Sequence, residues 1–170
     1  MSASPAVRIR DVREADLAGV HAINEAAVPH VNSVAVERLR GFTREAAHFR
    51  VALVDGELAG LLVAFAPGAG YESLNYRWFE ARYRDFIYVD RIAVAGQARR
   101  CGIASRLYED LFRSVAARTR RITCEVNTRP ENAASLAFHA RLGFRPVGSQ
   151  DTDGGAKTVC LMALEPVPEA

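Results

Sequence analysis

The residues whose types and spacing point most directly to chemistry are Ile92-Ala93-Val94-Ala95-Gly96-Gln97-Ala98-Arg99-Arg100-Cys101-Gly102-Ile103-Ala104. An apolar strand runs into a loop with glycine at two points, and a helix starts at once. The first turn of a helix exposes unpaired N–H groups and the positive end of its dipole, which suits a phosphate or pyrophosphate. Gly102 lets the backbone approach an anion closely, and Ala104 keeps the next turn small. Arg99 and Arg100 can add charge-assisted hydrogen bonds. The same residues also fit an ordinary strand-to-helix connection with a surface Arg pair, and local physics alone leaves both readings open. Two other phosphate loops are excluded. No Gly-Lys-Ser/Thr follows, and the three glycines of the dinucleotide fingerprint are absent. Cys101 stands where a helix start lowers a thiol pKa, but no His or Asn partner is marked near it, so a covalent cysteine mechanism is set aside.

The elements that must hold this segment can be read along the chain. Residues 7–10 alternate as a strand. Leu17, Val20, His21, Ile23, Asn24 and Ala27 fall near helical spacing until Pro29 stops the run. A second helix is expected over 35–47. Residues 49–54 and 58–65 read as a hairpin, because Asp55-Gly56 suits a type I′ turn. Pro67 to Gly70 ends that strand. Residues 71–88 carry seven of the chain's 14 aromatics and read as a loop that merges into a strand over 86–94. A helix is expected over 103–117, with Leu107, Leu111 and Val115 at four-residue steps. A strand over 122–126, a helix over 132–141, a strand over 144–147, a turn at Asp153-Gly154-Gly155 and a strand over 158–164 follow. Pro166 and Pro168 mark the tail. The order β-α-α-β-β-β-α-β-α-β-β puts hairpins around a central βαβ unit. That implies a mixed sheet with parallel central strands.

The length, 170 residues, suits one domain over 1–170. Net charge is +2, from 22 Lys+Arg against 20 Asp+Glu, which argues against a broad nucleic-acid surface. Lys157 is the single lysine, so 21 of those 22 cations are Arg. Arginine-biased composition explains most of them, and Arg99 and Arg100 are the two placed for an anion. Cys101, Cys124 and Cys160 are widely spaced, with no CxxC pair, so neither a disulfide framework nor a metal site is expected. A reducing cytoplasm fits. The first residues lack an apolar signal region and no run approaches about 18 apolar residues, so neither secretion nor a membrane partner is expected.

Two ordered blocks resemble the GNAT superfamily of acyl-CoA-dependent N-acetyltransferases. Arg99-Arg100-Cys101-Gly102-Ile103-Ala104 matches that family's Gln/Arg-x-x-Gly-x-Gly/Ala signature, with Val94 as the apolar strand residue upstream. Glu125-Val126-Asn127 and Asn132-Ala133-Ala134-Ser135-Leu136-Ala137-Phe138-His139-Ala140-Arg141-Leu142-Gly143-Phe144 resemble the fifth strand and following helix. Val28-Pro29-His30 and Tyr76-Arg77-Trp78-Phe79 further resemble a bacterial GNAT subgroup. The resemblance implies an α/β fold with a mixed, centrally twisted sheet of about six to seven strands flanked by about four helices. Its fourth and fifth strands would splay at a bulge to admit a pantetheine arm.

By that resemblance the acyl donor is acetyl-CoA, with no metal. Ile92, Ala93 and Val94 would offer strand backbone to the arm. Arg99, Arg100, Cys101, Gly102, Ile103 and Ala104 would hold the pyrophosphate, and Asn127, Asn132 and Ser135 would complete the donor site. Transfer to an amine needs a group to take the amine proton and an acid for the leaving sulfur. Glu125 occupies a position where some members carry a general base, and a carboxyl beside a cleft can have its pKa raised. Asp90 is a second candidate, two residues before Ile92 and so expected on the same strand face. His139 stands seven residues after Asn132, where many members carry a Tyr acid. A neutral imidazole still carries one N–H. Asn24, His30, Tyr76 and Trp78 are expected to shape the acceptor pocket. The implied activity is direct acetyl transfer to a small-molecule or peptide amine, in a monomer or a homodimer. A CoA-binding module without turnover is the rival reading.

Overall fold

The computed structural model describes residues 6–167, which leaves residues 1–5 and 168–170, Pro168 among them, outside it. Seven strands form one sheet: β1 (Val7–Asp11), β2 (His48–Val54), β3 (Glu57–Phe65), β4 (Ile87–Val94), β5 (Ile122–Arg129), β6 (Arg145–Thr152) and β7 (Lys157–Leu164). Five α-helices flank it: α1 (Leu17–Ala26), α2 (Val36–Glu45), α3 (Leu74–Glu80), α4 (Ile103–Val115) and α5 (Ala133–Leu142). The strand order is β1-β2-β3-β4-β5-β7-β6. Only β4 and β5 run parallel, joined by the crossover helix α4, and every other pair is antiparallel.

The sheet is buried on both faces, because β3 and β4 are apolar at nearly every position. Leu61, Val63 and Phe65 of β3 pack with Leu17 and Val20 of α1, Leu39 and Phe42 of α2, and Tyr76 and Phe79 of α3. Leu62 and Ala64 point the other way, to Ile103, Leu107, Leu111 and Val115 of α4 and to the flank of α5. The period-two alternation of a strand thus splits its side chains between two cores. On α4 the buried residues Ile103, Leu107, Tyr108, Leu111, Phe112 and Val115 recur three and four apart, the stripe of a helix lying on a sheet. Burying each such leucine contributes roughly 1.5–3 kcal/mol. Between β2 and β3, Asp55 and Gly56 have φ of 50° and 90°, both left-handed, as a type I′ turn requires.

The aromatic stretch is not a loop throughout. Residues 74–80 form α3, with the Ser73 side chain capping Tyr76 N–H at 3.3 Å. That gives five helices where about four were expected. The short helix was hidden because Tyr76, Trp78 and Phe79 show no simple 3.6-residue stripe. β5 also runs on to Arg129, three residues past the expected end.

Candidate active site

β4 and β5 pair through only three residues each: Ile87 with Ile122, Tyr88 with Thr123, and Val89 with Cys124. Beyond Val89 the strands part. Against β3, Val63 faces Arg91 while the next residue, Ala64, faces Val89, so Asp90 is the extra residue of a bulge. A bulge bends its strand and increases local twist, which opens the gap. It also breaks the alternation. Val89 packs with α4, and so do Ile92 and Val94, so a spacing of two no longer puts Asp90 on the face of Ile92. The gap is the head of a cleft of about 900 Å³ lined by β4, β5, the α1–α2 loop, α4 and α5.

Ile92, Ala93 and Val94 line the cleft along a stretch of β4 that pairs only with β3. The loop that follows has Arg100 and Gly102 in left-handed conformations, φ 64° and 73°. The first bond of α4 runs from Arg106 N–H to Gly102 O at 3.1 Å. Among the described residues, the N–H groups of Gly102, Ile103, Ala104 and Ser105 therefore have no backbone acceptor, and no side chain caps the helix. A Cβ on Gly102 would meet nothing within 4 Å, so there is open space at that position. Arg99 and Ala104 line the cleft. Arg100 and Cys101 are exposed beside it, and Ile103 turns its side chain into the core and offers only its amide.

On the opposite wall, Asn132 caps α5, its Oδ1 accepting Ser135 N–H at 3.2 Å. Asn127 donates through Nδ2 to Pro29 O at 3.2 Å and so ties β5 to the α1–α2 loop. Asn127, Asn132 and Ser135 all line the cleft.

Glu125 sits on β5 just past the point of divergence. Its Oε1 accepts the Tyr88 hydroxyl at 2.9 Å. Its Oε2 is shielded from solvent and has no hydrogen-bond partner. Burial, reinforced by the charge of Asp90, pushes the carboxyl pKa up to about 8, while Tyr88 and Asn75 pull against that rise. A proton-accepting oxygen without a partner is thus left at the wall of the cleft.

His139 is buried among Tyr108, Phe138 and Phe144. Its Nδ1 lies 2.8 Å from Ser135 O, a carbonyl that can only accept, so Nδ1 carries the proton. Nε2 lies 2.8 Å from Tyr108 Oη and accepts that hydroxyl. Burial lowers the imidazole pKa and keeps the ring neutral. Its single ring proton is therefore committed to Ser135. Tyr108, which also lines the cleft, escaped the sequence reading because a Tyr in the apolar stripe of α4 reads as core.

Asp90 is engaged on both oxygens: Tyr71 Oη donates to Oδ1 at 2.9 Å and Arg91 Nε to Oδ2 at 2.7 Å. Arg91 Nη1 continues to Asn24 Oδ1 at 2.8 Å and Asn32 O at 3.3 Å. Asn24 is fully buried and fastens the α1–α2 loop rather than lining the cleft. His30 does line it. Tyr76 and Trp78 do not. Tyr76 is in the core with its hydroxyl on Ala66 O, and Trp78 lies between Arg82 and Gly148. The acceptor-side residues brought to the cleft instead are Arg38, Phe42, Tyr71, Glu72, Asn75 and Arg91. Arg91 was legible only as a charge inside an apolar strand.

The profile described as the acetyltransferase (GNAT) family matches residues 17–144. No curated protein sequence matches the chain. Among solved structures, Ard1 from Thermoplasma volcanium superposes with a TM-score of 0.77 at 18% identity, over 96% of this chain and 99% of that one. The ribosomal-protein-S18-alanine N-acetyltransferase from Escherichia coli gives 0.73 at 20% identity, over 97% and 96%. Arabidopsis thaliana Naa50, in complex with the bisubstrate analogue CoA-Ac-MVNAL, gives 0.70 at 13% identity, over 94% and 98%. At such identities the structures speak to fold, and the profile, matched over most of the chain, speaks to family. With the parted β4 and β5 and the amide-lined loop before α4, the chain belongs to the GNAT acetyltransferase family.

Proposed function

We propose that this protein is an acyl-CoA-dependent N-acyltransferase that moves an acetyl group from acetyl-CoA to a primary amine by direct transfer in a ternary complex. The residues present suit such a donor. Four unpaired amides at the start of α4, with Arg99 nearby on the cleft, suit a pyrophosphate. The β5-facing edge of β4 at Ile92 and Val94 suits an amide-bearing arm laid down like an added strand. When bound, acetyl-CoA supplies the activated thioester. The chain supplies the proton chemistry. As the new C–N bond forms and the thioester C–S bond breaks, Glu125 Oε2 takes the proton that the amine nitrogen loses; solvent protonates the sulfur, which leaves as a thiolate, and Tyr88 holds the other carboxyl oxygen in place.

The observation that carries this reading is the unpartnered Glu125 Oε2, shielded from solvent on the cleft wall. A buried acceptor left without a donor carries a desolvation cost and calls for a functional reason. The test has two stages. Acetyl-CoA should raise the melting temperature. Thiol release should then appear with some member of an amine panel.

A second reading, a CoA-binding module without turnover, draws on one observation. The ring proton of His139 is bound to Ser135 O and is not free for a leaving sulfur. Stabilisation by CoA with no thiol release from any amine would favour that module. No stabilisation by any acyl-CoA would count against both.

A further inference from the structure

Arg91 is only 7% exposed, yet it lines the cleft. Its guanidinium is fixed in place: Nε binds Asp90, and Nη1 binds Asn24 Oδ1 and Asn32 O. Nη2 has no hydrogen-bond partner among the described residues, with the Tyr71 hydroxyl close to the guanidinium. Nη2 is thus the guanidinium nitrogen left for a ligand, on a residue that lines the cleft. Glu125 lines the same cleft with Oε2 also unpartnered, and the two residues are near enough for the Arg91 charge to act on the carboxyl. The site therefore presents a carboxyl that can take a nitrogen-bound proton once ionised, and a cationic N–H without an oxygen.

The remaining charges narrow the choice of ligand. Arg91 is balanced by Asp90, Arg38 by Glu45 and Glu72, and Lys157 by Asp153. No excess of negative charge waits for a polyamine. The α1–α2 loop also crosses the cleft. Arg91 and Asn24 hold Asn32 O on the β4 side, while Lys157 Nζ binds Asn32 Oδ1 at 2.9 Å and Asn127 binds Pro29 O on the far side. A compact ligand fits beneath that loop more readily than a protein chain.

We infer that the acceptor is a free α-amino acid, with its amine at Glu125 and its carboxylate on Arg91 Nη2. This rests on the acyltransferase reading above. A guanidinium fork matches a carboxylate in shape and charge, and a site built for an oxygen rejects analogues lacking it. Arg91 is then a specificity residue, and Asp90, Asn24 and Asn32 are what position it.

The test is a matched acceptor series with acetyl-CoA, read by thiol release. The common amino acids come first, then the best one beside its amide, its decarboxylated amine and a dipeptide beginning with it. The free acid should exceed each of the other three in kcat/KM by at least about tenfold, mainly through KM. Calorimetry on the CoA-saturated protein should show the same order without turnover. The Arg91→Lys variant, which keeps the charge but loses the fork, should shrink the preference for the acid over its amide. Equal or better use of the amide or the amine overturns the carboxylate assignment while leaving an acyltransferase. Better use of the dipeptide makes the acceptor a peptide N-terminus and overturns it equally. Turnover of non-amino-acid amines alone overturns it too. CoA binding without turnover of any amine removes the acyltransferase reading and this inference with it.

Discussion

Tyr108 Oη lies 2.8 Å from His139 Nε2, and the donor in that bond is the tyrosine. The direction follows from the other ring nitrogen, which gives its proton to Ser135 O. The pair spans α4 and α5, and both residues line the cleft. It fixes the imidazole as a neutral acceptor, where the resemblance at position 139 pointed to an acid.

That direction has a measurable consequence. His139→Phe strips the Tyr108 hydroxyl of its acceptor inside the core and should cost about 1–3 kcal/mol in urea unfolding. Tyr108→Phe leaves Nε2 without a donor and should cost a similar amount. The double variant should be more stable than the sum of the two losses implies, because neither orphan remains. Strict additivity would mean the bond is absent in solution.

Glu125 should reveal its environment through stability. Its pKa is about 8 when folded, above the ordinary carboxylate value. Between those two values the native state keeps a proton that the unfolded state releases, so stability falls as pH rises through this window. Glu125→Gln removes the ionisation. It should raise the melting temperature, by more at pH 9 than at pH 5. A gain independent of pH would place the carboxyl in water.

Gly102 is predicted to matter for the donor more than for the fold. A Cβ there meets no atom, but φ is 73°, a conformation costing other residues about 1–2 kcal/mol. Gly102→Ala should therefore fold with a loss of that order. CoA affinity by calorimetry should drop by about tenfold or more, because a side chain at the first turn narrows the approach of a phosphate to the free amides. Unchanged affinity would remove the phosphate role from this turn.

Trp78 should behave as a packing residue. A Cβ at Gly148 on β6 would come within 2.6 Å of the Trp78 ring, so Gly148→Ala must displace the indole. A loss of about 1–3 kcal/mol is expected from overpacking. Catalysis should be little changed, since neither residue lines the cleft.

How much of this was legible beforehand depends on the kind of signal. The glycine and arginine spacing at 99–104 located the amide-lined turn, because orphan N–H groups are a property of any helix start. Gly143, with φ 100°, ends α5 as the Leu142-Gly143-Phe144 sequence suggested. Glu125 was legible as a candidate, while its free oxygen was not, since that depends on Tyr88 from a strand 37 residues away. The bulge at Asp90 left no mark in the apolar pattern of β4. Asp90 lines the cleft, with both its oxygens held by Tyr71 and Arg91. Tyr76 and Trp78 looked like pocket walls because aromatics in an apparent loop lack a core to join. Helix α3 supplied that core.

The most direct test is the pH dependence of kcat/KM for acetyl transfer, wild type against Glu125→Gln. A Glu125 base requires the wild-type rate to rise as pH passes through about 8, in step with ionisation of the carboxyl. The glutamine variant should fall by roughly 10²–10⁴-fold and lose that rise. A variant that keeps both the rate and the profile of the wild type would show that Glu125 does not take the proton.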